Sequence, residues 1–73
     1  MLVIRGAEAR AVDAKRMSPT KYGWEIDRDF FHNASWNGCP VVCSEKGEHF
    51  GKVIGIFEVT DSKLRIHKIP SRF

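Results

Sequence analysis

The stretch "ASWNGCPVVCSEKGEHFGKVIGIFEV", residues 34–59, predicts a β-hairpin in the middle of the chain. Residues 39–43 form a short apolar run with Pro40 near its start, a strand position at which a missing backbone N–H is tolerated. A polar connection at 44–49 contains Gly47, and residues 50–59 supply a longer run rich in β-branched and aromatic side chains. We therefore expect two antiparallel strands here, and this hairpin is the strongest structural signal in the sequence.

Further short strands are predicted on both sides of the hairpin. After a turn at 60–63, Leu64 and Ile66 alternate with Arg65 and His67, which is typical of a half-buried strand at 64–69. The remaining predictions are strands at 2–5 and 22–31, a turn at 18–23 and a loop at 32–38. Residues 7–16 are ambiguous, because their Ala, Glu and Arg content favours a helix whereas the alternation of Ala9 and Ala11 favours a strand; a strand is the preferred interpretation. Together they indicate one all-β domain spanning residues 1–73, a small five- or six-stranded barrel or sandwich with little helix.

Composition limits the class of protein. The 73 residues carry 12 Lys and Arg against 9 Asp and Glu, a net charge of +3. A chain of this size buries only about 60% of the surface that its unfolded form exposes, so large side chains such as Trp24 and Phe57 are expected in the core. The apolar runs are too short for a membrane span or a signal peptide, and with two unpaired cysteines they predict a cytoplasmic protein without a membrane partner.

The C-terminal strand and tail are basic. After Asp61 the chain contains Lys63, Arg65, Lys68 and Arg72 but no acidic residue. With Lys52, these side chains would form a groove for single-stranded nucleic acid, in which bases stack on aromatic rings. The candidate rings are those of Tyr22, Trp24, Trp36 and Phe50. The alternative is that they form an ordinary solvated strand face. Both interpretations remain open at the level of the sequence.

Cys39 and Cys43 raise the question of a disulfide or a metal site. On one strand their Cα atoms would lie about 13 Å apart, because each residue advances the chain by about 3.3 Å, whereas a disulfide requires roughly 7 Å or less. With His32 and His49 they supply the ligand types that zinc prefers, but they flank an apolar strand instead of a tight two-residue knuckle. The sequence therefore predicts free thiols, with neither a metal nor another cofactor.

Residues 29–73 also resemble the C-terminal β-barrel of trypsin-like serine proteases of the Deg/HtrA type. The resemblance is carried by "DFFHNASWNGCPVV" at 29–42, "GKVIGI" at 51–56 and "IPS" at 69–71. It places Asn37 at the position of the nucleophilic serine, and an Asn carboxamide cannot attack a carbonyl carbon. The resemblance thus implies a catalytically inactive half of that fold. An enzyme would need Cys39 as nucleophile instead, with His32 or His49 as base.

These observations predict a binding module without enzymatic turnover. Its partner would be another protein or a second copy of the chain, recruited through an exposed strand edge of the small barrel. A basic barrel that binds single-stranded nucleic acid is the first alternative. The inactive half of a trypsin-like fold, completed by a partner, is the second.

Overall fold

Seven short strands form one antiparallel sheet in the computed structural model, which describes residues 1–27 and 33–69. The strands are β1 (Leu2–Arg5), β2 (Glu8–Ala11), β3 (Met17–Thr20), β4 (Gly23–Ile26), β5 (Pro40–Val42), β6 (Val53–Val59) and β7 (Leu64–Lys68). Two single-turn 3-10 helices, Ala14–Arg16 and Ala34–Trp36, are the only helical segments in these ranges. The all-β fold with little helix is therefore confirmed, with seven strands where the sequence indicated five or six.

The spatial order of the strands is β2-β1-β5-β6-β7-β4-β3, and the sheet curls into a half-barrel. The predicted hairpin is formed by β5 and β6, in which Pro40 lies opposite Ile56 and Val41 opposite Gly55. The two edge strands, β2 and β3, follow one another in the chain. Residues 12–16 connect them and span at most roughly 20 Å between Ala11 and Met17, so the curl must bring these two strand ends close together.

Two N-terminal predictions change in detail. The predicted strand at 7–16 is shorter: only Glu8–Ala11 is a strand, and a 3-10 helix follows. The predicted turn at 18–23 is too long, because Met17–Thr20 and Gly23–Ile26 form a hairpin whose turn is confined to residues 21 and 22. Pro19 suggested a turn, but it lies in an edge strand, where a residue without an N–H is accommodated.

The predicted strand at 22–31 and the loop that follows it are described only in part. The strand is observed at Gly23–Ile26, and residues 28–31 of the prediction lie outside the described ranges. Within the predicted loop at 32–38, the described part contains the 3-10 helix Ala34–Trp36.

The core lies on the concave face of the sheet. Eight hydrophobic side chains are buried there: Val3, Val12, Ile26, Trp36, Val41, Phe57, Leu64 and Ile66. The expectation for Phe57 is confirmed, and Trp24 packs against this cluster while remaining half-buried. In β7, Leu64 and Ile66 are buried whereas His67 is exposed, as the alternation predicted. None of the helices in the described ranges has the length and hydropathy required to cross a bilayer.

Candidate functional site: the β2 edge

The β1–β2 hairpin builds one edge of the sheet. Gly6 occupies the tight turn with φ of +59°, a left-handed conformation that glycine adopts without steric cost. Immediately beside the turn, Arg5 lies opposite Glu8, and their side chains form an ion pair with an N–O distance of 2.9 Å. All four residues of β2, Glu8 to Ala11, are exposed. The turn thus presents a short, solvated strand on the outside of the sheet.

The hydrogen-bond pattern determines which backbone groups of β2 face outward. The Val12 N–H donates to the Met1 carbonyl oxygen at 2.8 Å, so Met1 and Val12 form a hydrogen-bonded pair. Such pairs alternate along an antiparallel ladder, which places Arg10 and Glu8 in the next two. Ala9 and Ala11 lie between them, and their N–H and C=O groups therefore point away from β1. Within residues 1–27 and 33–69 no further strand pairs with these groups, and an edge of this kind can recruit another strand.

The opposite edge, β3, is arranged differently. There the Asp27 N–H donates to the Arg16 carbonyl oxygen at 2.9 Å, which puts the hydrogen-bonded pairs at Arg16, Ser18 and Thr20. Pro19 consequently occupies an outward-facing position, and it has no N–H to offer to a further strand. Proline on an edge strand is one of the devices by which proteins prevent strand addition. Of the two edges of the sheet, β2 is the one that such a proline does not protect.

An apolar outer surface adjoins the β2 edge. Because Val3 and Val41 face the core, their neighbours Leu2, Ile4 and Val42 face the convex side of the sheet. The register joins Ile4 to Ala9, Leu2 to both Ala11 and Val42, and Pro40 to Ile56. Ile56 and Val53 are 37% and 39% exposed. The convex surface of β2, β1, β5 and β6 is therefore largely apolar, which is typical of an interaction surface.

The basic residues of the C-terminal strand do not form a separate positive surface. Lys63 and Arg65 both lie near the Glu25 carboxylate, at 3.9 and 3.8 Å, and Arg65 also lies 3.9 Å from Glu58. The ring Nε2 of His67 is 3.1 Å from Glu58. Strands β4 and β6 flank β7 and supply these acids. The tail is basic in sequence, but on this face of the sheet the charges alternate.

The other residues predicted for nucleic-acid binding lie on different elements or outside the described residues. Lys52 is exposed in the connection between β5 and β6, and Lys68 is exposed at the end of β7, opposite Gly55. Arg72 lies outside the described residues. Trp36 is only 2% exposed, and the guanidinium carbon of Arg5 lies 4.6 Å from the centre of its ring. The burial of Trp36 does not support its predicted position on a binding surface, since no base can stack on a ring inside the core.

The cysteine and histidine residues are also placed by the structure. Cys39 and Cys43 are free thiols, both half-buried, and His49 lines an apolar cavity of about 310 Å³ together with Cys43. His32 lies outside the described residues. Within 1–27 and 33–69, no group of three or more His, Cys, Asp or Glu side chains is arranged to hold a metal ion.

Asn37, at the position of the serine nucleophile in the resemblance, has a structural contact. Its side-chain oxygen accepts a hydrogen bond from the Val59 N–H at 2.9 Å, which joins the end of the Ala34–Trp36 helix to the end of β6. The neighbouring Gly38 donates its N–H to the Phe57 carbonyl oxygen at 2.8 Å. The segment that resembles a protease motif therefore connects the 3-10 helix to the central strand.

Comparison with known proteins adds no relative: the chain matches no known protein family, and no curated protein or solved structure is significantly similar to it. The functional interpretation consequently depends on the geometry of the chain itself. The sequence predicted an exposed strand edge but not which strand forms it. The stretch that could have identified this strand is "AEARA" at 7–11, in which alanine alternates with one acidic and one basic residue.

Proposed function

We propose that the protein is a non-catalytic interaction module that takes up an extended segment of a partner polypeptide along β2. Strand addition of this kind derives its affinity from main-chain hydrogen bonds and its specificity from side chains on alternate positions. The observation that carries the proposal is the difference between the two edges of the sheet. Pro19 blocks β3, whereas Ala9 and Ala11 on β2 present outward-facing N–H and C=O groups.

The surroundings of β2 support a polypeptide as the ligand. A shallow groove of about 470 Å³ runs along Glu8, Ala9, Arg10 and Ala11. On the convex side, the small side chains of Ala9 and Ala11 lead directly to Ile4 and Leu2. A strand added here would extend the apolar convex surface by one row of side chains. The strand is polar on the face of Glu8 and Arg10 and apolar on the face of Ala9 and Ala11. A partner segment that alternates polar and apolar residues would match both faces.

The charge arrangement weighs against the nucleic-acid alternative. Affinity for nucleic acid depends mainly on cations that neutralise phosphates. On the β7 face, Glu25 and Glu58 lie within 4 Å of Lys63 and Arg65 and would repel the same phosphates. Trp36, one of the four rings predicted to receive a base, is buried in the core, whereas Tyr22 and Phe50 are exposed.

Peptide selection tests the proposal. Random extended peptides displayed on phage would be selected on the wild-type protein and then measured against Ala9→Pro, which removes the outward-facing N–H without removing a β1–β2 hydrogen bond. Ala9→Ser is the matched control, because it changes the side chain at the same position and keeps the N–H. We expect the selected peptides to shift the NMR resonances of the Ala9 and Ala11 amides of the wild-type protein. Their binding should be retained by Ala9→Ser and lost in Ala9→Pro. Peptides that bind both variants equally, or that leave the β2 amides unperturbed, would overturn the proposal.

A further inference from the structure

The β2 edge is complementary to itself in charge. Along "AEARA" at 7–11, Glu8 and Arg10 stand symmetrically on either side of Ala9. Both side chains are exposed, and they lie on the same face of the strand because they are two residues apart. If a second β2 strand runs antiparallel with Ala9 opposite Ala9, each Glu8 meets Arg10 of the second copy. Two opposite-charge pairs form at once, related by a two-fold axis through the Ala9 pair.

We infer that the partner strand is the β2 of a second copy of this chain, paired antiparallel in the register that places Ala9 opposite Ala9. The inference rests on the proposed function, since it names the occupant of the same edge. The outward-facing groups of the two Ala9 residues then form the central hydrogen-bonded pair of the new ladder. Glu8 and Arg10 fall at the intervening non-hydrogen-bonded pairs, where opposite Cα atoms approach to about 4.5 Å and side chains are closest.

Charge also excludes the neighbouring registers. A shift by one hydrogen-bonding step in one direction places Arg10 opposite Arg10, and a shift in the other direction places Glu8 opposite Glu8. Like charges directly opposite each other destabilise a strand pair, whereas opposite charges stabilise it. A slip by a single residue would place the outward-facing backbone groups of one copy opposite residues of the other copy whose backbone groups already bond to β1. Among these alignments, the Ala9-centred register alone combines main-chain pairing with favourable charge.

Both charged side chains also have contacts within their own copy. Arg5 donates to the Oε1 oxygen of Glu8 at 2.9 Å, and because a carboxylate accepts several hydrogen bonds, this pair is compatible with a second one to Arg10 of another copy. The Arg10 guanidinium carbon lies 5.9 Å from the centre of the Trp36 ring, on the concave side of the sheet. The dimer would join two half-barrel sheets edge to edge, with Ile4, Ala9 and their counterparts forming one apolar band on the convex side.

The contact is short, so the dimer is expected to be weak and to depend on concentration. Interfaces well below about 1,200 Å² are characteristic of transient complexes. We expect a dissociation constant in the micromolar range or above. Salt should weaken the association further, because the two charge pairs are solvated. Sedimentation equilibrium over a micromolar to millimolar concentration series measures this directly.

Charge exchange supplies the specific test. Arg10→Glu places two carboxylates opposite each other in both side-chain pairs, and Glu8→Arg places two guanidinium groups there. Each variant alone should therefore dimerise at least about tenfold more weakly than the wild type. Mixed in equal amounts, the two variants restore opposite charges in both pairs and should form a heterodimer. Lys46→Glu, an exposed lysine in the β5–β6 connection, makes the same charge change as Arg10→Glu away from the edge and should leave dimerisation unchanged.

The mixture also controls for folding, because two misfolded variants would not restore association. A wild-type protein that stays monomeric at millimolar concentration would overturn the inference, as would a dimer insensitive to both charge reversals or a mixture that fails to associate. These results are distinguishable from failure of the proposed function. If the chain does not dimerise but selected peptides bind β2 and this binding is lost in Ala9→Pro, the edge accepts strands and its partner is a different polypeptide.

Discussion

Ala9 and Pro19 occupy equivalent positions on the two edge strands of the sheet, each with its backbone nitrogen directed away from the neighbouring strand. Ala9 presents an N–H there and Pro19 does not. If both edges were open, β2 of one copy could pair with β3 of the next. Such head-to-tail contacts do not form a closed oligomer, and molecules would add to one another without limit. If strands add to this sheet as we propose, Pro19 would limit the addition to the β2 edge and self-association to pairs.

The substitution Pro19→Ala should allow strand addition at the β3 edge as well. The new N–H at position 19 would open the β3 edge, and we expect species larger than dimers whose average mass rises with concentration. Light scattering across a concentration series measures the effect, with Ser62→Ala as an exposed control outside the edge strands. An average mass for Pro19→Ala equal to that of the wild type would show that Pro19 does not protect the edge.

Trp36 is expected to be a stability residue. Its ring is 2% exposed within the core, and Trp36→Ala should reduce the free energy of unfolding by about 3–5 kcal/mol, as loss of a large buried aromatic side chain does. Tyr22, which is 70% exposed, is the matched aromatic control, and Tyr22→Ala should change stability by less than about 0.5 kcal/mol. Urea unfolding followed by far-UV circular dichroism compares the two. Similar small losses for both would contradict the burial of Trp36.

Asn37 should matter for stability and not for reactivity. Because its side-chain oxygen accepts the Val59 N–H at an exposed site, Asn37→Ala should reduce the free energy of unfolding by about 0.5–1.5 kcal/mol, the net value of one hydrogen bond. Asn37→Ser restores the residue type of the protease motif but should acquire no reactivity toward a fluorophosphonate probe, since a serine hydroxyl needs an adjacent base and this side chain faces a backbone N–H. Labelling of Asn37→Ser above the level of the wild type would argue for a real catalytic relationship.

Glu25 and Glu58 should suppress binding of polyanions. The double variant Glu25→Gln with Glu58→Gln removes the two carboxylates beside Arg65 and should bind a random single-stranded oligonucleotide more tightly, with a steeper dependence on salt. Glu45→Gln with Glu48→Gln makes the same change in net charge within the exposed β5–β6 connection. Fluorescence anisotropy at several salt concentrations measures both variants. Equal gains in affinity would mean that only total charge matters.

Local sequence patterns predicted the part of the fold that depends on neighbouring residues. The alternation of Leu64 and Ile66 with Arg65 and His67 identified β7 and its buried face, because side chains in a strand point to opposite faces in turn. The β5–β6 hairpin was predicted for the same reason. Pro19 misled the prediction because proline occurs both in turns and on strand edges, and only the position of β3 in the sheet distinguishes the two.

Tertiary structure decided the properties that depend on residues distant in sequence. Arg65 belongs to a basic tail in the sequence, yet Glu25 and Glu58 reach it from the two flanking strands. Trp36, predicted at a surface, enters the core beneath Arg5, a residue of the first strand. The charge symmetry of "AEARA" was present in the sequence from the start. It acquired meaning only from the strand order, because that order leaves β2 at an edge of the described sheet, where we propose that its outward-facing backbone groups pair with another strand.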